Sequence, residues 1–155
     1  MKIKFIRNIL LIGTLLIISC NESNFPDFPD NHSDLKEPLS YQKMQNMLKR
    51  FSQREYIELS EIGQSAKGNT IYAVHINRGE AQEKWKVFLL GQQHGDEPAG
   101  KDAILHLIKY ISQNEQLIPQ EVELWLVPMA NPDGARANQR GNGNDADLNR
   151  DHVLL

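Results

Sequence analysis

Two short, largely apolar runs constrain this chain most. Val87-Phe88-Leu89-Leu90 is bounded by Lys86 and Gly91, and Val122 to Val127 repeats the type; such runs are expected of strands buried on both faces. Between them Ile104, Leu107, Ile108 and Ile111 recur at helical spacing, with Asp96 as a cap and Pro98 in the first turn, where a missing N–H costs nothing. Strand, helix, strand predicts a crossover within one sheet. Upstream, Tyr41, Met44, Met47, Leu48 and Phe51 predict an amphipathic helix behind Ser40, reaching about Gln53. Ile57 and Leu59 alternate with polar residues, Ile71 to Ile76 reads as a second strand, and the Lys67-Gly68-Asn69 turn between them predicts a β-hairpin. The expected fold class is α/β, a mixed, largely parallel sheet covered by helices.

Charge and cysteine content narrow the function. Lys plus Arg number 17 against 20 Asp plus Glu, and no basic block of five or six residues occurs, so the electrostatic footprint of a nucleic-acid binder is missing. With one cysteine the chain forms neither an internal disulfide nor a Cys-pair zinc site, and any metal must be held by His and carboxylates.

The N-terminus reads as an export signal rather than part of the fold. Lys2, Lys4 and Arg7 form a positive region, and Ile9 to Ile18 is apolar apart from Gly13 and Thr14, too short to span a bilayer. The closing Ile17-Ile18-Ser19-Cys20 resembles the lipobox of bacterial lipoproteins, which implies a signal peptide over 1–19 and lipidation of Cys20; the alternative is a buried, inert cysteine. Removing 1–19 leaves 14 basic against 20 acidic residues, a net charge of −6, so charge would not draw the mature chain to anionic lipid. Residues 20–38, with prolines at 26, 29 and 38, bury too little apolar area to offset ordering and read as a flexible tether. The expected location is exported and membrane-anchored, on the periplasmic or cell-surface side.

Chemistry-bearing residues gather at the ends of the two apolar runs, where open α/β sheets bind ligands. After Leu90, His94 and Glu97 lie three apart across a Gly-loosened turn, so both can face one ion, as His, His, Glu zinc hydrolases require of one such pair. Taken alone the spacing is weak: five His and 20 acidic residues allow a chance His-x-x-Glu, and each residue also reads as a turn or helix-start residue. After Pro128 comes an Asn/Gly/Asp-rich stretch of about twenty residues without periodicity, and loops of that length are usually functional. Arg136 reads there as a solvated surface residue.

In order along the chain stand Ile62-Gly-Gln-Ser65-Ala-Lys-Gly68-Asn-Thr-Ile71, His94-Gly-Asp-Glu97-Pro, Asn131-Pro-Asp-Gly134, Arg140-Gly-Asn142 and Asp147-Leu-Asn-Arg150. Together they resemble the N-terminal half of the zinc carboxypeptidase family (carboxypeptidase A-like, peptidase M14), over residues 39–155. The family often has Arg where Asn69 stands. The resemblance implies one Zn2+ held by His94 and Glu97. It makes Arg140 the cation that polarises the scissile carbonyl and holds the oxyanion, and Asn149 with Arg150 the clamp on the carboxylate of a peptide substrate, cell-wall peptides included. His75, His106 and His32 are expected to be structural or exposed, and His152 to support the site without binding metal. The family's third ligand and general-base Glu come from beyond Arg150, so the domain is expected to be incomplete, inactive alone, and exposed along a sheet edge. A zinc deacylase like aspartoacylase and succinylglutamate desuccinylase is the alternative within hydrolases. A catalytically dead, peptide-binding surface lipoprotein is the alternative outside them.

Overall fold

The computed structural model describes residues 38–150. The signal segment 1–19, Cys20, His32, the tether up to residue 37 and His152 lie outside the described residues.

Ser40 caps the first helix, α1 (Tyr41–Phe51), accepting a bond from the Lys43 N–H at 3.3 Å, and Met44, Leu48 and Phe51 form its buried face. Two antiparallel strands follow, β1 (Ile57–Gln64) and β2 (Thr70–Asn77). Gly68 turns between them with φ 76°, a backbone conformation that costs a side-chain-free residue little. Then come β3 (Trp85–Leu90), α2 (Ala99–Gln113), a single 3-10 turn at Glu115–Leu117, β4 (Val122–Val127) and the short α3 (Pro132–Ala137).

The sheet order is β1-β2-β4-β3. β4 pairs antiparallel with β2 and parallel with β3, so α2 is the crossover between parallel neighbours that the apolar runs predicted. The sheet is mixed as expected, though only one of its three pairings among the described residues is parallel. One helix-length connection supports one parallel pair, whereas the hairpin imposes antiparallel pairing. α1 and α2 cover one face, where Leu48, Val74, Ile76, Leu105, Ile108 and Leu126 are all at or below 1% exposed.

Three expectations are corrected. Among the described residues β3 is not buried on both faces: it is the edge strand, and all six of its residues are exposed, Trp85 at 77% and Phe88 at 62%. Burial depends on what lies beyond an edge, which a local run of apolar residues does not encode. Asp96 does not cap α2; the helix starts at Ala99 with Pro98 at its N-cap and no side-chain cap, because the intervening turn is occupied by the His94–Glu97 loop. Finally, the stretch after Pro128 is not wholly irregular. α3 forms inside it because Asn131 caps the turn and Pro132 takes the first helical position, where proline is pre-organised.

Candidate active site

Leu90 and Val127 are register partners at the carboxyl ends of the parallel pair, so the loops that follow them leave the sheet side by side. They stay together: Gly91 N–H bonds to the Val127 carbonyl, and Ala130 and Asn131 N–H bond back to the Gly91 and Gln92 carbonyls, at 2.8 to 3.1 Å. The loop after β3 packs so tightly that a Cβ at Gly95 would lie 2.0 Å from the Gly134 carbonyl carbon. Only glycine permits that approach. Gln92 helps to shape the loop with a left-handed φ of 46° and a bond from Nε2 to the Gly95 carbonyl at 2.9 Å.

These constraints bring four side chains into one ring. His94, 8% exposed, lies with Nδ1 3.2 Å from Glu97 Oε2 and Nε2 2.9 Å from Asp147 Oδ1. Arg140 closes the ring, Nη1 at 3.3 Å from Glu97 Oε1 and Nε at 3.1 Å from Asp147 Oδ2. The Glu97 hydrogen bond raises the His94 pKa above its ordinary value, and the Asp147 bond adds to that, against the opposing effects of burial and Arg140. Burial pushes the Asp147 carboxyl up, but bonds from His94, the Asn149 N–H and Arg140 outweigh it and leave its pKa lowered.

The donor set fits half of a zinc site. Two ligands each ~2.1 Å from one ion in tetrahedral array stand ~3.4 Å apart, close to the Nδ1 to Oε2 separation of 3.2 Å. A carboxylate only accepts, so Asp147 favours a proton on Nε2, and once the proton shared between Nδ1 and Glu97 is lost, Nδ1 is the nitrogen available to a metal. Among the described residues, no group of three or more His, Cys, Asp or Glu side chains is arranged to hold an ion.

The structure thus brings together His94, Glu97 and Arg140. Asn149 joins His94 and Glu97 in lining a cleft of about 270 Å³ between the loops. Arg150 is not among the residues lining it, and its Nη1 donates to the Asn149 carbonyl at 3.4 Å. Asp147 had no assigned role in the sequence, although it lies two residues before Asn149, and a metal-binding histidine's need for a carboxylate partner is the signal that points to it. Arg136 is exposed yet not merely solvated: its Nη1 donates to Asn69 Oδ1 at 3.1 Å. Asn69 in turn donates to the buried Asp133 at 2.6 Å, so the residue in place of arginine makes its own contact. His75 is structural, stacked on Trp125 at 3.9 Å and bonded to Glu123 at 3.4 Å.

Residues 40–153 match the sequence profile of the zinc carboxypeptidases. The chain belongs to that family. Carboxypeptidase SOL1 of Arabidopsis thaliana is 33% identical over 118 residues, covering 70% of this chain and 24% of its own length. A metallo-carboxypeptidase from Burkholderia cenocepacia shares the fold with a TM-score of 0.68 at 24% identity, over 73% of this chain and 33% of that one. One from Pseudomonas aeruginosa, in complex with (2-guanidinoethylmercapto)succinic acid, gives 0.62 at 28% identity, over 73% and 31%. The chain therefore spans a quarter to a third of the length of these relatives.

Proposed function

We propose that this zinc carboxypeptidase-family chain carries an N-terminal part of a metallocarboxypeptidase that removes C-terminal residues from peptides, cell-wall peptides among them. The observation that carries the reading is the His94–Glu97 pair facing one point, with Asp147 behind the imidazole and Arg140 beside it. His94 and Glu97 hold one zinc ion, and the third protein ligand and the general-base carboxylate come from outside the described residues. When bound, zinc supplies Lewis acidity and lowers the pKa of water toward ~7. Arg140 offers a cation to the developing oxyanion. Arg150 presents a planar fork that matches a terminal carboxylate bidentately, with Asn149 beside it. The succinic acid derivative on the Pseudomonas relative carries carboxylates of the kind such a fork takes.

In the completed enzyme, Arg150→Lys weakens hydrolysis of peptides with a free C-terminal carboxylate and hardly changes amidated ones, whereas Arg140→Ala lowers kcat about 10²–10³-fold. Equal effects of Arg150→Lys on free and amidated peptides move the assignment to a deacylase or an endopeptidase. Residues 20–155 alone release no C-terminal residue from a peptide panel with zinc in excess, because the family resemblance puts the carboxylate that takes the water's proton beyond Arg150. Turnover abolished by His94→Ala would overturn that expectation.

For location we propose lipidation of Cys20 after removal of 1–19, in a bacterial lipoprotein. Each buried CH₂ adds ~0.8 kcal/mol and stable anchoring takes more than one acyl chain. Cys20→Ala therefore leaves the membrane fraction or stalls unprocessed; a fully processed variant still in that fraction excludes the assignment.

A further inference from the structure

Asn131, 1% exposed, has two tasks. Its Oδ1 accepts from the Gly134 N–H at 2.9 Å, an N-cap bond that Ser, Thr or Asp could also provide. Its Nδ2 does what none of those can. It donates toward the carbonyls of Gln93 at 3.0 Å, Arg140 at 3.3 Å and Gly141 at 3.1 Å. Two hydrogens serve three acceptors, so one is shared. Gln93 directly precedes His94, and the second acceptor is Arg140 itself. The backbone follows the same seam, with the Asn131 N–H bonded to the Gln92 carbonyl at 3.1 Å and the Gly95 N–H to the Arg140 carbonyl at 3.4 Å. One buried amide thus joins loops that are far apart in sequence and that carry opposite sides of the four-residue ring.

We propose that Asn131 is a positioning residue: its side-chain amide holds the His94 loop against the Arg140 loop in the register that lets His94, Glu97, Arg140 and Asp147 meet. The ring contacts span 2.9 to 3.3 Å, and a slip of ~1 Å between the loops takes them beyond hydrogen-bond range. The consequence for zinc rests on the metallocarboxypeptidase reading; the register does not.

Asn131→Asp keeps the shape and the cap acceptor and removes both N–H donors. Amide hydrogen exchange by NMR in the full chain, and zinc titration by calorimetry in the completed enzyme, read the result. Exchange at Gly95 accelerates about 10-fold or more, while Val74 and Ile76 in the central strand β2 change less, as expected of local rather than global opening. The zinc Kd rises about 10–100-fold, the effect of losing support behind a ligand. Asp133→Asn, which weakens another link of α3 and none of these bonds, controls for a general loss of stability; it lowers Tm but leaves Gly95 exchange and zinc affinity near those of the unsubstituted chain. Should the aspartate variant fail to fold, Asn131→Ser, which keeps a cap acceptor, is read in the same way. Gly95 exchange and zinc affinity that stay unchanged, or move no more than in Asp133→Asn, overturn the proposal. A completed, unsubstituted enzyme that binds no zinc overturns the metallocarboxypeptidase reading alone, and Gly95 exchange then decides the role of Asn131.

Discussion

At the scale of the residue, His94 is poised by two carboxylates, one on each ring nitrogen. Its raised folded-state pKa means that its charge stabilises the fold fully below the unfolded value of ~6.5, and that this contribution fades as pH rises through the folded value. Asp147 has the opposite sign. Its lowered pKa adds stability above the unfolded value of ~3.9, which is lost as pH falls through the folded one. The metal-free chain is therefore expected to draw most from this pair at mildly acid pH and less toward alkaline pH. Zinc needs Nδ1 without its proton, so zinc affinity falls as pH drops through the raised His94 value. Asp147→Asn should lower the His94 pKa in an NMR ring titration and weaken zinc about 10–100-fold. An unshifted titration would mean that Asp147 does not orient the imidazole. His94 and Glu97 were legible from spacing and motif, but Asp147 was not assigned, because its contact with His94 closes only when two distant loops fold together.

At the scale of the element, the hairpin β1–β2 is tied to α3 through one buried carboxylate. Asp133, 2% exposed, accepts from Ser65 Oγ at 2.6 Å, Asn69 Nδ2 at 2.6 Å and the Lys67 N–H at 3.0 Å. Burial alone would push its pKa up, but these three bonds reverse the effect and hold it low. Asp133→Ala strands the Ser65 and Asn69 donors, so a loss on the order of 3 kcal/mol in urea unfolding is expected. Hydrogen-exchange protection should fall first at residues 65–69. A loss below about 0.5 kcal/mol would show the hairpin to be held by its strand pairing alone. Both partners stood within recognisable motifs, the Ile62 to Ile71 hairpin and Asn131-Pro-Asp-Gly134, yet spacing along the chain does not show that one motif supplies the acceptor for the other.

At the scale of the whole molecule, helices cover one face of the sheet, and among the described residues β3 forms an edge with Trp85, Val87, Phe88, Leu89 and Leu90 exposed. Lys86, paired with Glu123 at 3.3 Å, is the one charge in that strand. An apolar sheet edge favours strand-to-strand association. Phe88→Lys and Trp85→Lys should each reduce concentration-dependent self-association in sedimentation, and an unchanged association constant would place the contact elsewhere. What the amino-acid sequence determined by itself is local in origin. Apolar period set the strands and α1, Ser40 its cap and Gly68 the hairpin turn, and the order of motifs indicated the family that the profile match then established. Only the tertiary structure decided that β3 is an edge, that Asp147 stands behind His94, and that Asn131 and Asp133 tie loops together. Each of these depends on groups far apart in the chain meeting at a few ångströms, and neither period nor composition carries that information.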